Sequence, residues 1–243
     1  LTTTISKTNV SCNGMGDGTA FVNVNGGTAP FIYNWNTGQT LQSISGLFPG
    51  TYSVNVVDVN GCLASNSITI TQPQPLSAIS SVSYVSCFAG SDGSIDVTVS
   101  GGTSPFTYNW SNSATTEDVA GLTAGSYSIT ISDSCGSPVT LSVQITEPGA
   151  ISLTKVVSDV KCNGANNGSV NLSASGGVAP YSYIWSNSAT TGDISNLSPS
   201  TYYVTVNDAC SQTSIDSAVV NQPATLIATI TKTDVSCNGL GDG

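Results

Sequence analysis

A 75-residue period constrains this chain more than any other feature. Cys12, Cys87, Cys162 and Cys237 stand 75 residues apart. The same spacing carries Trp35, Trp110 and Trp185, the pairs Gly26-Gly27, Gly101-Gly102 and Gly176-Gly177, then Tyr52, Tyr127 and Tyr202, and Pro73, Pro148 and Pro223. Self-similarity at a fixed interval marks a repeat architecture, in which one structural unit recurs. The 243 residues therefore divide into three complete repeats, 1–75, 76–150 and 151–225, followed by the start of a fourth at 226–243. Because "VSCNGLGDG" at 235–243 echoes "VSCNGMGDG" at 10–18, the array is expected to continue past Gly243. The joints "TQPQP", "TEPGA" and "NQPAT" are short and contain proline, so an end-to-end rod is expected rather than a string on loose tethers.

Each repeat reads as strands. Apolar and polar residues alternate with a period of two, and Gly, Asn-Gly and Asp-Gly break the runs. In the first repeat the strand-like runs are "TTTISKTNV", "TAFVNVN", "FIYNW", "TLQSISGL", "TYSVNVVD" and "SNSITIT". No stretch carries a helix-like run of Glu, Lys, Leu and Ala. Six or seven strands in a repeat of this length predict an all-β sandwich of the immunoglobulin or fibronectin kind, with Trp35, Trp110 and Trp185 as core fillers. In "GLFPGTYSVNV", "GLTAGSYSITI" and "NLSPSTYYVTV", a turn precedes a Tyr that leads an alternating strand. Tyr52, Tyr127 and Tyr202 are thus expected to lock a corner of the core rather than to touch a ligand.

Seven cysteines fit two per repeat, with the partner of Cys237 expected beyond Gly243. Cys62, Cys135 and Cys210 recur near the end of the Tyr strand. A domain this small benefits from a bridge, and one closing a loop of about 50 residues adds roughly 3–4 kcal/mol in the chain-entropy account. That argues for an oxidising, extracellular setting. With one clear strand between the Trp strand and the Tyr strand, both cysteines fall at the same end of the domain. This parity favours Cys12–Cys62, Cys87–Cys135 and Cys162–Cys210. A further short strand there would reverse it and set each opening cysteine against the late cysteine of the next repeat, as Cys12 with Cys135. Metal ligation is weakened by the lack of any Cys-x-x-Cys spacing and of any histidine.

Charge narrows the partners. Lys7, Lys155, Lys161 and Lys232 are the only basic residues, against fourteen acidic ones. Nucleic acid needs clustered cations and is not an expected partner. No apolar stretch approaches the roughly 20 residues that span a bilayer, and "LTTTISKTNV" lacks the apolar segment of a signal peptide. Anchor and export signal are expected outside these residues. Without histidine, Ser/His/Asp or Cys/His hydrolysis is excluded, and no catalytic residue is assigned. Asp58, Asp133 and Asp208 share one register position, and Asp17, Asp92 and Asp242 share another. Carboxylates recurring in every unit suggest turns and backbone hydrogen bonds, with calcium held alongside backbone carbonyls as the alternative. No other cofactor is expected.

Together the residues carry a signature: "VSCNGMGDGTAFVNVNGGTAPFIYNWNTGQTLQSISGLFPGTYSVNVVDVNGC". It resembles the SprB repeat, the tandem module of giant gliding-motility surface adhesins of Flavobacterium and other Bacteroidetes. The second repeat departs from it in "CFAGSDG", and the third has Asn167 where Asp is usual and "NDACS" at the late cysteine. The resemblance implies export by the type IX secretion system, attachment at the outer membrane as a long filament, and movement along the cell while the adhesin grips a substratum. Three functions follow as expectations. The first is a stalk that extends the adhesin and transmits force. The second is an array of weak polysaccharide-binding units acting by avidity, which would need aromatic residues on an exposed strand face. Phe48, Phe88 and Tyr203 lie outside the repeated aromatic set and do not recur in register. The third is lateral self-association through edge strands that carry few charges.

Overall fold

A computed structural model describes residues 1–234 and Gly239. Cys237 and Asp242 lie outside the described residues. Among the described residues, eighteen strands form six three-stranded antiparallel sheets, two for each repeat. In the first repeat, β1 (Thr2–Thr8), β2 (Gly18–Asn25) and β4 (Ser43–Leu47) make one sheet in the order β1-β2-β4. The facing sheet is β3-β5-β6, from β3 (Ile32–Trp35), β5 (Gly50–Val57) and β6 (Leu63–Ile70). The second repeat runs β7 (Ser77–Ser83), β8 (Gly93–Ser100), β9 (Thr107–Trp110), β10 (Val119–Leu122), β11 (Gly125–Ser132) and β12 (Pro138–Ile145). The third runs β13 (Ser152–Ser158), β14 (Gly168–Ser175), β15 (Ser182–Trp185), β16 (Ile194–Leu197), β17 (Ser200–Asn207) and β18 (Thr213–Val220). All three share one topology. It is the immunoglobulin-like arrangement with one strand fewer, so that three strands face three.

Alternation builds each core. Along β2, Ala20 and Val22 point inward while Phe21 and Asn23 face solvent; along β5, Val54 and Val56 are buried. They meet Trp35, Ile44, Leu47 and Ile70 in one cluster, and the second and third repeats rebuild it around Trp110 and Trp185. The tryptophans are 4%, 4% and 2% exposed. Close packing also explains the Gly-Gly pairs: Gly102 has φ +65°, and a Cβ there would stand 2.9 Å from Leu76 and 3.2 Å from the Asp133 carboxylate. Only glycine fits both demands.

The described residues divide into two compact units. One comprises Leu1–Val85 and Ser91–Thr146, and holds the first two sandwiches; the other comprises Ser86–Gly90 and the chain from Glu147 onward, and holds the third.

Strand direction departs from the simplest reading of the sequence. β3 covers one half of β5, pairing Ile32 with Val57 and Trp35 with Val54, while β4 covers one half of β2, pairing Phe21 with Ser43 and Gly18 with Leu47. β1 lies against β6 in parallel, with Asn66 Nδ2 donating to the Thr3 carbonyl at 2.7 Å and Lys7 Nζ to that of Thr69. From these pairings, β3 and β4 run the same way. The turn after Trp35 therefore carries the chain from one sheet to the other without reversing it. Hence the β1–β2 loop, with Cys12, sits at the distal end where the chain leaves the sandwich. The β5–β6 loop, with Cys62, sits at the proximal end where the chain comes in.

Candidate functional site at the cysteine-bearing loops

At the distal end, Val10 is buried and its amide donates to the Thr71 carbonyl at 3.0 Å. Asn13 Nδ2 donates to the Pro73 carbonyl at 2.9 Å and the Gly14 amide to Gln72 Oε1 at 2.8 Å. These bonds hold the opening-cysteine loop against the departing joint. Asp17 closes the loop, accepting the Ser11 amide at 3.0 Å and the Ser11 hydroxyl. Both bonds from Ser11 hold its carboxyl below the ordinary carboxylate range. In the third repeat the same position is Asn167, which accepts the Lys161 amide at 3.1 Å, while Asn163 and Gly164 repeat the bonds to Pro223 and Gln222. In the second repeat, Ala89 donates instead to Glu147 at 2.7 Å, and Asp92 occupies the aspartate position.

At the proximal end an aspartate organises the late-cysteine loop. Asp58 is 5% exposed; its Oδ2 accepts the Thr28 amide at 3.0 Å, and its Oδ1 accepts Asn60 at 2.9 Å and Cys62 at 2.8 Å. Asp133 takes Thr103 at 3.0 Å, Cys135 at 3.0 Å and Ser137 at 3.3 Å. Asp208 takes Val178 at 2.9 Å, Cys210 at 2.9 Å and Gln212 at 2.8 Å. Each carboxylate thus ties the β2–β3 loop, or its equivalent, to the late-cysteine loop. Amides from Cys62 and Thr28 hold the Asp58 carboxyl below its ordinary value. At Asp133 and Asp208 burial alone pushes upward, but the summed amide bonds outweigh it and the net shift is down. With both oxygens engaged by backbone, these aspartates are clamps. Among the described residues no cluster of three or more His, Cys, Asp or Glu side chains is placed to hold a metal ion.

The cysteines pair between repeats. Cys12 bonds Cys135 and Cys87 bonds Cys210, each across 123 residues with Cα atoms 5.8 Å apart. The parity-favoured pairings Cys12–Cys62, Cys87–Cys135 and Cys162–Cys210 are therefore corrected, and Cys62 and Cys162 are free, exposed thiols. The physical reason is the undirected count of strands. One strand does lie between the Trp and Tyr strands, but it does not reverse the chain, so the two cysteines of a repeat stand at opposite ends. Both bridges fall inside a compact unit, the second because residues 86–90 belong with the third sandwich. Within the first unit, Thr103 Oγ1 also donates to the Ser11 carbonyl at 3.2 Å, and the Gly102 amide to the Gln74 carbonyl at 2.9 Å.

The aromatic positions have hydrogen-bonding roles as well as bulk. Each indole N–H donates at 2.9 Å to the carbonyl six residues on: Trp35 to Leu41, Trp110 to Thr116 and Trp185 to Thr191. This anchors the turn that crosses between sheets. The tyrosine hydroxyls donate four residues back, Tyr52 to Phe48 at 2.9 Å, Tyr127 to Thr123 at 3.1 Å and Tyr202 to Ser198 at 3.0 Å. Sequence reasoning passed over Asp118 and Asp193, which accept the Val97 and Leu172 amides at 2.8 and 2.9 Å, and over Gln72 and Gln222. The glutamines carried a signal: they share a register with Glu147, 75 residues from each.

Among solved structures, the chain is similar to Sidekick-1 immunoglobulin domains 1-5, at 12% identity and TM-score 0.45, over 90% of this chain and 58% of that one. It is similar to the N-terminal eight Ig domains of Down Syndrome Cell Adhesion Molecule isoform 1.30.30 at 12% and 0.36, over 79% and 33%. An amphioxus IgVJ-C2 molecule matches at 15% and 0.31, over 56% and 99%. The chain thus spans little more than half of the first and a third of the second. None of the curated proteins matches. The family model described as SprB repeat matches residues 4–40, 79–115 and 154–190, each stretch 75 residues on from the last. The chain therefore carries three tandem matches to the SprB repeat, in step with its 75-residue period.

Proposed function

We propose that this chain is a stalk segment of a filamentous surface adhesin, non-enzymatic, extending the protein from the cell and transmitting tension during attachment and gliding. The observation that carries the reading is the Cys12–Cys135 bridge, which joins consecutive sandwiches beside their peptide joint. Tension crosses from one to the next by two covalent routes, whereas a bridge within a sandwich would protect that sandwich alone. The match to the SprB repeat implies an extracellular surface location, where disulfides persist. Outer-membrane attachment, type IX secretion and a gliding motor belong to the proposal through the family resemblance, and the repeat boundaries 1–75, 76–150 and 151–225 belong to it through the 75-residue period. The test is adhesion of the oxidised, purified chain to glass, polysaccharide and cells. A stalk binds no better than a matched control of equal charge; binding that climbs steeply with repeat number would move adhesion into the repeats.

A second reading, of a polysaccharide contact, is favoured by one face of the third sandwich. Ile184, Tyr203, Ile215 and Val219 lie outward on β15, β17 and β18, between 52% and 70% exposed. The registers Ile184–Thr205–Ile215, Tyr203–Ser217 and Thr201–Val219 place them on one surface. The equivalent positions are polar elsewhere: Asn34, Ser53, Ser65 and Thr69 in the first repeat, Asn109, Ser128, Thr140 and Gln144 in the second. An uncharged apolar surface carrying one tyrosine ring, with neighbouring hydroxyls, suits a neutral polysaccharide. It argues for a local contact rather than a grip in every repeat. Polysaccharide retention abolished by Tyr203→Ser would support it; retention unchanged by that substitution would sink it.

A further inference from the structure

The two bridges follow one rule: an opening-loop cysteine bonds the late-loop cysteine one repeat further on. Cys62 and Cys162 are left as exposed thiols, and each stands in the same scaffold as its bonded counterparts. Asp58 Oδ1 accepts the Cys62 amide at 2.8 Å, as Asp133 and Asp208 accept Cys135 and Cys210 at 3.0 and 2.9 Å. Beside Cys162, Asn163 and Gly164 donate to Pro223 and Gln222 at 3.0 and 2.9 Å. Beside Cys12, Asn13 and Gly14 donate to Pro73 and Gln72 at 2.9 and 2.8 Å. The free thiols are therefore held by the same bonds that present the bonded ones.

We infer that Cys62 and Cys162 are the two complementary halves of a covalent junction for further repeats of this kind. Cys62 receives the opening cysteine of a preceding repeat, and Cys162 receives the late cysteine of a following one. The occupant is another SprB repeat because the same chain already shows both halves filled by one. The halves are not interchangeable: Cys162 of one chain fits Cys62 of a second chain, while two copies of the same half do not fit each other. Closure consumes a small disulfide oxidant such as oxidised glutathione. Two protein thiols become one protein disulfide, and the two electrons and two protons leave on two molecules of reduced glutathione. The inference rests on the bridge pattern and not on the adhesin reading, so the adhesion assay and the test below fail separately.

The test extends the chain past Gly243 by its own residues 19–75, which completes the fourth repeat because 226–243 stand in register with 1–18. After oxidation with glutathione disulfide, free thiols are alkylated and linked peptides mapped by mass spectrometry. The expected link joins Cys162 to the added copy of Cys62, leaving Cys237 and the original Cys62 alkylated. A link from Cys237 to the added cysteine, or an alkylated Cys162 beside a folded fourth repeat, would overturn the inference. If the added repeat does not fold, the Cys237→Ser form of the unextended chain decides the matter at high concentration. Mixed Cys62–Cys162 links should exceed the two like-with-like links by about tenfold under exchange conditions. Pairing no better than random, or no linked chains, would overturn it.

Discussion

Asp58, Asp133 and Asp208 show how one side chain can set a loop pair. Each offers two oxygens to three backbone amides, and in each the net effect lowers the carboxyl below its ordinary value. The unfolded chain then binds more protons than the folded one as pH falls below about 4, so stability is full above that value and drains below it. Unfolding midpoints in urea should stay flat from about pH 7 to 5 and fall below about pH 4. Asp133→Asn should lower the melting temperature of the first unit by several degrees and flatten part of the acid decline, because an amide NH2 would face a backbone donor. Calcium or a chelator should leave the melting temperature unchanged, since both oxygens already have partners; a clear calcium-dependent rise would show that the loops hold an ion. The recurrence of these aspartates was legible in sequence, but their amide partners were not. Thr28 and Cys62 lie 30 and 4 residues from Asp58, and only folding brings both to it.

At the scale of the element, the crossing turn after the tryptophan is decisive. Trp110→Phe removes the indole bond to Thr116 and leaves a gap in the core, which should cost about 2–4 kcal/mol by chemical denaturation. Tyr127→Phe keeps the ring and loses one hydrogen bond to Thr123, so a cost of about 1 kcal/mol is expected. Equal costs would mean that the indole does not anchor the turn. The strand count of each repeat to within one, the buried face of each strand and the tyrosine corner could all be read from alternation and turn residues. Alternation reports which face is buried. It is silent on whether the next strand turns back, and a half-length strand that changes sheets has the same pattern as one that reverses. That silence produced the wrong cysteine pairing.

For the molecule as a whole, the bridges set what fails together. Cys135→Ser should destabilise the first unit by about 3–5 kcal/mol, given the long loop that Cys12–Cys135 closes, and leave the second unit's transition in place. Cys87→Ser should do the reverse, because residues 86–90 belong to the second unit. Scanning calorimetry of the two variants would check both. Pulling the Cys87→Ser chain by its ends offers a mechanical measure: the remaining bridge short-circuits a sequence separation of 123, so adding reductant should lengthen the extended chain by about 400 Å at ~3.3 Å per residue. The period, the sandwich class and the core tryptophans were all written in the residue order, because periodicity and alternation are local or countable. Which sulfur meets which was not. A disulfide requires Cα atoms within about 7 Å, and that distance depends on how many times the chain reverses between two loops, which these pairings of strands alone establish.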